Sequence, residues 1–154
     1  MEILEDAAAW VASLGVPSWG QGSFRDPEGG GRARLLDAIQ AGGLYVASIA
    51  GEPAATVSLF DRDERFWPGA PRDALYVHKL AVRRSFAGRD LGGAILRWAA
   101  DLARSEHRRC LRLDCPRDDP GVRRYYEQAG FHHRGDITVG TFEASLYEWT
   151  VAPG

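Results

Sequence analysis

The sequence lacks the features that mark several common classes of protein. Among its 154 residues there is one lysine, Lys79, and 19 basic side chains stand against 21 acidic ones, giving a net charge of −2. A chain with this balance has no overall attraction to nucleic acid or to an anionic membrane. No run approaches the ~18 apolar residues of a membrane span, and acids stand near the start, where a secretory signal is basic. We therefore expect a cytoplasmic protein that binds neither nucleic acid nor membranes.

Cysteine and histidine are also scarce, which argues against disulfides and metal sites. Cys110 and Cys115 lie in one predicted strand, where ~3.3 Å per residue separates them by roughly 16 Å, too far to pair. There is no Cys-x-x-Cys motif and the histidines are scattered, so we expect no metal cofactor. The length and the 45% hydrophobic content fit a single globular domain over residues 1–154.

Hydrophobic spacing predicts alternating helices and strands. The order predicts an α/β fold of the α+β type, with one mixed sheet and helices on both faces. The predicted helices are 3–14, a short one around Leu35 and Ile39 that ends at Gly42, one that begins after Gly88, and 120–129; the predicted strands are 44–50, 54–60, 74–82, 110–115, 131–133 and 143–151, with a loop over 61–73.

Two turns carry specific signals. Gly51 followed by Glu52 predicts a two-residue hairpin turn with glycine first. Asp119 before Pro120 predicts the N-cap and first residue of a helix that Gly130 ends. On the last two helices, the residues predicted to face inward are Leu91, Ile95, Trp98, Ala99 and Leu102, and then Val122, Tyr125, Tyr126 and Ala129.

The most informative passage is residues 80–94, where a predicted strand turns through Gly88 into a helix. At such a turn the first backbone N–H groups of the helix are unpaired and the helix dipole is positive, which suits a phosphate group. Alternatively, Gly88, Gly92 and Gly93 only permit a tight turn and close packing of the helix.

Two known phosphate-binding motifs do not fit this passage. Gly88 and Gly93 have the spacing of the two glycines in the P-loop motif, but Ala94 and Ile95 stand where that motif requires Lys and Ser/Thr. The dinucleotide-binding motif requires a glycine at the position of Asp90.

The passage resembles the acyl-CoA-binding motif of the GNAT superfamily of N-acetyltransferases. In that family a strand ending in Leu-Ala-Val is followed by Gln/Arg-x-x-Gly-x-Gly at a helix start, and here Leu80-Ala-Val precedes Ala87-Gly-Arg-Asp-Leu-Gly. A second family motif, Asn-x-x-Ala-x-x-x-Tyr-x-x-x-Gly-Phe, is similar to the segment from Asp119 to Phe131. The resemblance extends over residues 44–131.

The chain departs from the first motif at Ala87 and at Asp90. As a helix N-cap, the Asp90 carboxylate would accept hydrogen bonds from the amides of Gly92 or Gly93, which a pyrophosphate would also use. We therefore expect weakened CoA binding, which nearby arginines offset only if they face the cofactor. These arginines are Arg83, Arg84 and Arg89.

The resemblance implies a mostly antiparallel sheet in which the strand over 74–82 splays from the next one, with the pantetheine arm of acetyl-CoA in the gap. Backbone groups near Leu80 and Val82 would hold that arm, and one amide would polarise the thioester carbonyl. The residues that it implies for cofactor binding are Leu80, Ala81, Val82, Ala87, Gly88, Arg89, Asp90, Leu91, Gly92, Gly93, Asp119 and Tyr126.

The resemblance also suggests catalytic residues. Tyr126 aligns with the family tyrosine and is expected to protonate the departing thiolate, although an inward tyrosine is also a common core residue; Tyr125 points ~100° away around the helix. Tyr76 stands where some family members carry a glutamate base. By strand alternation His78 shares the face of Tyr76, Leu80 and Val82 and is a candidate base, with Asp114 or ordered water as alternatives.

The expected activity is therefore acetyl transfer from acetyl-CoA to a primary amine of a small molecule, without a metal. The alternatives are a CoA-binding or regulatory module without turnover, and an N-acetyltransferase of proteins or peptides. Family habit suggests a homodimer. We expect aromatic and acidic residues to form a pocket for the acceptor amine. Alternatively, the tryptophans only pin loops and the acids are solvated. The residues are Trp10, Trp19, Phe24, Trp67, Asp61, Asp63 and Glu64.

Overall fold

A computed structural model describes residues 30–151. The predicted helix over 3–14 and the aromatic residues Trp10, Trp19 and Phe24 lie outside the described residues. Within residues 30–151, no helix is long and apolar enough to cross a membrane. The elements in chain order are α1 (Gly30–Gln40), β1 (Leu44–Ile49), β2 (Glu52–Phe60), β3 (Ala74–Val82), a 3₁₀ turn (Arg84–Phe86), α2 (Leu91–Ser105), β4 (Cys110–Pro116), α3 (Pro120–Ala129), β5 (His132–Val139) and β6 (Phe142–Thr150).

The six strands form one mixed sheet in the order β1-β2-β3-β4-β6-β5. The pair β3 and β4 is parallel, whereas β1 with β2, β4 with β6, and β5 with β6 are antiparallel. This arrangement confirms the predicted α/β class with a mixed sheet. The described residues group into two compact units, 30–59 with 78–95 and 60–77 with 96–151.

In the first unit, β1 and β2 form a hairpin whose turn differs from the prediction by one residue. Glu52 pairs with Ile49 and so belongs to β2. The central residues of the turn are Ala50 and Gly51, with φ of 51° and 82°. Positive φ at both central residues matches the twist of the flanking strands, and glycine adopts it without steric cost. The predicted turn at Gly51 and Glu52 is therefore wrong.

In the second unit, β4 pairs with β6 along its whole length. Its parallel ladder with β3 ends at Tyr76 and Arg112, although β3 continues to Val82 and β4 to Pro116. The early end of this ladder agrees with the splayed strand pair that the resemblance implies.

Three details of the prediction are wrong. Strand β5 extends to Val139, because the polar residues around Gly135 occupy an edge strand, where exposed side chains are tolerated. On α2, Ile95 and Ala99 are buried as predicted, but Trp98 is 40% exposed, and Leu96, Ala100 and Ala103 are buried as well. On α3, Tyr125 is 41% exposed.

Candidate functional site

Strand β2 holds the passage from β3 into α2 at two points. The Arg83 amide donates to the carbonyl of Ala54 at 2.8 Å. The Thr56 hydroxyl donates to the carbonyl of Lys79 at 3.0 Å. Lys79 has φ of 52°, in the left-handed region, although it lies inside a strand.

The left-handed residue corrects one expectation about side-chain directions. Alternation of faces holds only while successive residues keep extended backbone angles. Tyr76 and His78 precede Lys79, whereas Leu80 and Val82 follow it. The alternation on which the prediction for these four side chains rests is therefore interrupted at Lys79.

After β3 the chain makes a compact turn anchored by one aromatic side chain. The 3₁₀ turn Arg84–Phe86 places the ring of Phe86 in a buried position. The Arg89 guanidinium carbon lies 5.4 Å from the centre of that ring. Gly88 has φ of 80°, as a turn through this residue requires. Residues 87–90 are exposed.

Helix α2 begins with two buried glycines, Gly92 and Gly93, and an aspartate packed against the second of them. The Ala94 amide donates to the carbonyl of Asp90 at 3.0 Å, so Asp90 opens the helix, with φ of 51°. A Cβ built on Gly93 would collide with Asp90 Oδ1 and lie 2.9 Å from Asp90 Cγ. The carboxylate therefore lies directly against the first turn, at the positive end of the helix dipole. An anion approaching this turn meets a negative charge already in place.

Helix α3 begins as its sequence predicts. Asp119 Oδ1 accepts a hydrogen bond from the Val122 amide at 3.0 Å, and Pro120 is the first helical residue. Gly130 ends the helix with φ of 110°. These contacts confirm the predicted caps and fix the angular position of Tyr126 on the helix.

The phenol of Tyr126 lies in an aromatic group near β4. Its ring centre is 5.7 Å from that of Phe131 and 5.4 Å from that of Tyr125. Burial raises the pKa of Tyr126 above its ordinary value, and the nearby Cys115 and Asp114 raise it further. Tyr126 is therefore protonated at neutral pH and is a hydrogen-bond donor.

The other residues suggested for proton transfer differ in environment. Tyr76 is 2% exposed, and its hydroxyl accepts a hydrogen bond from Arg112 Nη1 at 3.0 Å. This contact explains Tyr76 as a structural residue. His78 and Asp114 are both partly buried, on β3 and β4.

In the loop over residues 61–73, two acidic side chains bind backbone amides of the loop, and the tryptophan packs against residues of the neighbouring strands. Asp63 Oδ1 accepts from the amides of Arg65 and Phe66 at 3.2 and 3.1 Å, and Glu64 Oε2 accepts from the Gly69 amide at 3.3 Å. The ring of Trp67 packs against Tyr76 and lies 5.2 Å from the Arg112 guanidinium carbon. These contacts support the alternative that this tryptophan pins the loop.

Sequence reasoning missed Thr56 and Lys79. A threonine in a strand is ordinary, since β-branched residues favour strands. A lysine carries no signal for positive φ, in contrast to glycine or asparagine. The two residues are brought together only in the folded chain, where the Thr56 hydroxyl donates to the Lys79 carbonyl.

Residues 10–131 match the model of a protein family described as the acetyltransferase (GNAT) family. A protein of Bacillus subtilis (strain 168), described as the uncharacterized N-acetyltransferase YesJ, is 28% identical over 143 residues, covering 90% of this chain and 77% of the relative.

Solved structures show the same fold. The crystal structure of a GNAT-family acetyltransferase from Listeria monocytogenes 4b F2365 superposes with a TM-score of 0.76 at 22% identity, covering 97% of this chain and 86% of the other. The aminoglycoside acetyltransferase AAC(6')-Ib, in complex with coenzyme A and kanamycin, superposes with a TM-score of 0.70 at 19% identity, covering 96% and 85%.

Proposed function

Because the chain belongs to the acetyltransferase (GNAT) family, we propose that it transfers the acetyl group of acetyl-CoA to a primary amine of a small molecule, by direct attack in a ternary complex. The observation that carries this proposal is the turn over residues 87–90, which is exposed and leads directly into the glycine-rich start of α2. Such a turn offers backbone N–H groups and a favourable dipole to a pyrophosphate.

The pyrophosphate of acetyl-CoA binds, in this proposal, to the amides from Gly88 to Gly93. Gly92 and Gly93 have no side chain that would block close approach of the phosphates. Asp90 opposes the fit, because its carboxylate packs on the same turn. Binding therefore requires the Asp90 side chain to move or to be compensated by cations.

The pantetheine arm runs, in the same proposal, along the backbone of β3 near Leu80 and Val82. A backbone amide there donates to the thioester carbonyl and stabilises the negative charge that develops on its oxygen. A neutral amine attacks the carbonyl carbon, a C–N bond forms and the C–S bond breaks. The amine loses one proton to a base. The sulfur departs as a thiolate, accepts a hydrogen bond, and afterwards takes one proton from the protonated base or from solvent.

Tyr126 is the residue that we propose beside the departing thiolate. Its raised pKa keeps the phenol protonated, so it donates a hydrogen bond as the charge on sulfur develops. A free thiol has a pKa of ~8.5, below that of the phenol, so complete proton transfer from Tyr126 is uphill. For the base we propose His78, with ordered water as the alternative.

The small-molecule acceptor is supported by the neighbour AAC(6')-Ib, which was crystallised with coenzyme A and kanamycin. The competing function is a CoA-binding module without turnover, and the position of Asp90 against α2 is the observation that favours it. A peptide acceptor is the third alternative, and the experiment below includes it.

Two measurements test these proposals in order. Acetyl-CoA at 100 times its dissociation constant adds ~2.7 kcal/mol to the free energy of unfolding, which a thermal shift assay detects. Thiol release is then followed with aminoglycosides, polyamines, small primary amines and a peptide amine. Release with a small amine supports the proposed function. Saturable binding without release on any acceptor identifies the module, release with the peptide alone identifies a protein acetyltransferase, and no binding at millimolar acetyl-CoA overturns all three.

A further inference from the structure

The segment of β3 that follows Val77 contains a strained backbone position. Lys79 has φ of 52° inside a nine-residue strand. For a residue with a Cβ this conformation is disfavoured, and lysine has no short polar side chain to compensate locally. Backbone strain of this kind persists only where surrounding contacts hold it.

Thr56 on β2 forms a hydrogen bond with the strained residue, Lys79. Thr56 is 4% exposed, and its hydroxyl donates to the Lys79 carbonyl at 3.0 Å. In a regular antiparallel ladder a strand carbonyl accepts from a backbone amide of its neighbour. Here a buried side chain makes the contact, four residues before the backbone bond from Arg83 to Ala54.

The peptide bond after Lys79 carries this contact to the next residue. A peptide unit is planar and trans, so its C=O and N–H groups point in opposite directions. A hydrogen bond that fixes the Lys79 carbonyl toward Thr56 therefore also fixes the Leu80 N–H, which points away from Thr56. The threonine hydroxyl thus helps to fix the direction of the Leu80 N–H.

We propose that Thr56 is a positioning residue for acetyl transfer: it holds Lys79 in the left-handed conformation and thereby aims the Leu80 amide at the thioester carbonyl. This inference rests on the proposed function. It assigns the polarisation of the thioester carbonyl to the Leu80 amide, one of several backbone amides near Leu80 and Val82. Thr56 acts on this amide through the backbone.

The test uses two Thr56 variants and one control. Thr56→Val removes the hydroxyl and keeps the shape, whereas Thr56→Ser keeps the hydroxyl. Ser58→Ala is the matched control, because Ser58 is equally buried on β2 and its hydroxyl has no hydrogen-bond partner among the described residues. If Thr56→Val does not fold, Thr56→Ala carries the same test, since it needs no more room.

A misaimed amide weakens an interaction made with the developing oxyanion, so we expect kcat of Thr56→Val to fall about tenfold or more. The dissociation constant of free CoA, which has no thioester carbonyl, stays within about twofold. Thr56→Ser restores kcat to near the wild-type value, and Ser58→Ala matches the wild type. A crystal structure of Thr56→Val shows Lys79 out of the left-handed region.

Other results overturn the inference. An unchanged kcat in Thr56→Val does so, and so do equal losses in kcat and CoA affinity, or a Thr56→Ser variant as impaired as Thr56→Val. If the wild-type protein transfers no acetyl group, the proposed function fails by itself. The crystal structure of Thr56→Val then decides. If Lys79 remains at positive φ, the positioning role is overturned. If Lys79 leaves the left-handed region, the structural half of the inference is supported.

Discussion

The carboxylate of Asp90 fills the space that a side chain at Gly93 would occupy, in the first turn of α2. A Cβ on Gly93 would lie 2.9 Å from Asp90 Cγ, and Asp90 itself has φ of 51°. A carboxylate at this end of a helix stabilises the helix through its dipole. In the proposed function the same charge repels a pyrophosphate that approaches the same amides, so we expect helix stability and CoA affinity to be opposed at Asp90.

The first prediction concerns Asp90→Gly, which removes the charge and leaves a residue that adopts positive φ without steric cost. We expect CoA to bind about two- to fivefold more tightly, since a charge beside a helix end contributes 0.3–1 kcal/mol. Isothermal titration calorimetry measures the change. Asp90→Asn is the matched control for the charge, because asparagine keeps the size of the side chain and tolerates the left-handed region. Weaker CoA binding by Asp90→Gly would contradict the argument.

Part of this fold follows from local sequence chemistry. The cap at Asp119, the proline after it and Gly130 form a complete helix signal, and each makes the predicted contact or conformation. The strand over Ala74–Val82 and the start of α2 after Gly88 also have the predicted bounds. Elements whose ends are set by their own residues are therefore readable from one sequence.

Features that depend on residues far away in the chain cannot be predicted from local sequence. The hairpin turn is displaced by one residue because the pairing of Ile49 with Glu52 places the positive φ on Ala50 as well as Gly51. Lys79 is left-handed although lysine is not typical of that region. Candidate site residues came from motif spacing, whereas Thr56 emerges only from its hydrogen bond to Lys79, 23 residues along the chain.

The second prediction concerns Tyr126→Phe. Loss of the hydroxyl removes the proposed hydrogen-bond donor to the thiolate. Removing one donor to a developing negative charge costs about 10²–10³ in kcat, so we expect kcat to fall by about 10². The dissociation constant of CoA changes by less than about twofold. Stopped assays of thiol release and calorimetry give the two values. Tyr125→Phe is the control, since Tyr125 is 41% exposed and on the same helix. An unchanged kcat in Tyr126→Phe rules out the role.

The third prediction concerns the two buried, free thiols, Cys110 and Cys115. Burial raises the pKa of both, that of Cys115 to about 12. Because the thiolate is the reactive form, we expect Ellman's reagent at pH 8 to leave both thiols unmodified in the native protein and to modify both in guanidinium. Rapid modification of either thiol in the folded protein is the contrary result.

The same raised pKa predicts how Cys115 affects stability against pH. In the unfolded chain a thiol ionises near ~8.5, whereas the folded protein retains the proton up to a higher pH. The contribution of this group to stability is therefore complete below about pH 8.5 and declines as the pH rises above it. A Cys115→Ala variant loses less stability between pH 8 and 11 than the wild type in urea titrations, and an equal loss refutes the prediction.

The last prediction concerns Arg112, which is 6% exposed and joins β4 to the loop before β3. Its guanidinium donates to Glu148 at 2.8 Å, to the Pro71 carbonyl at 3.1 Å and to the Tyr76 hydroxyl at 3.0 Å, and it pairs with Asp73 at 3.2 Å. Removing one member of a buried charged network leaves the others without compensation, so we expect Arg112→Met to lower the free energy of unfolding by about 3–5 kcal/mol.

Arg112→Lys does not rescue this loss, because an ammonium group cannot donate in the fixed directions of a guanidinium. The matched control is Arg134→Ala: Arg134 also pairs with Glu148, at 3.2 Å, but its side chain is 48% exposed. An exposed pair of this kind contributes less than about 1 kcal/mol. Urea denaturation of the three variants gives the comparison. Equal stability losses in Arg112→Met and Arg134→Ala would mean that burial does not determine the energy of these ion pairs, and that the loop before β3 is held by the packing of Trp67 on Tyr76.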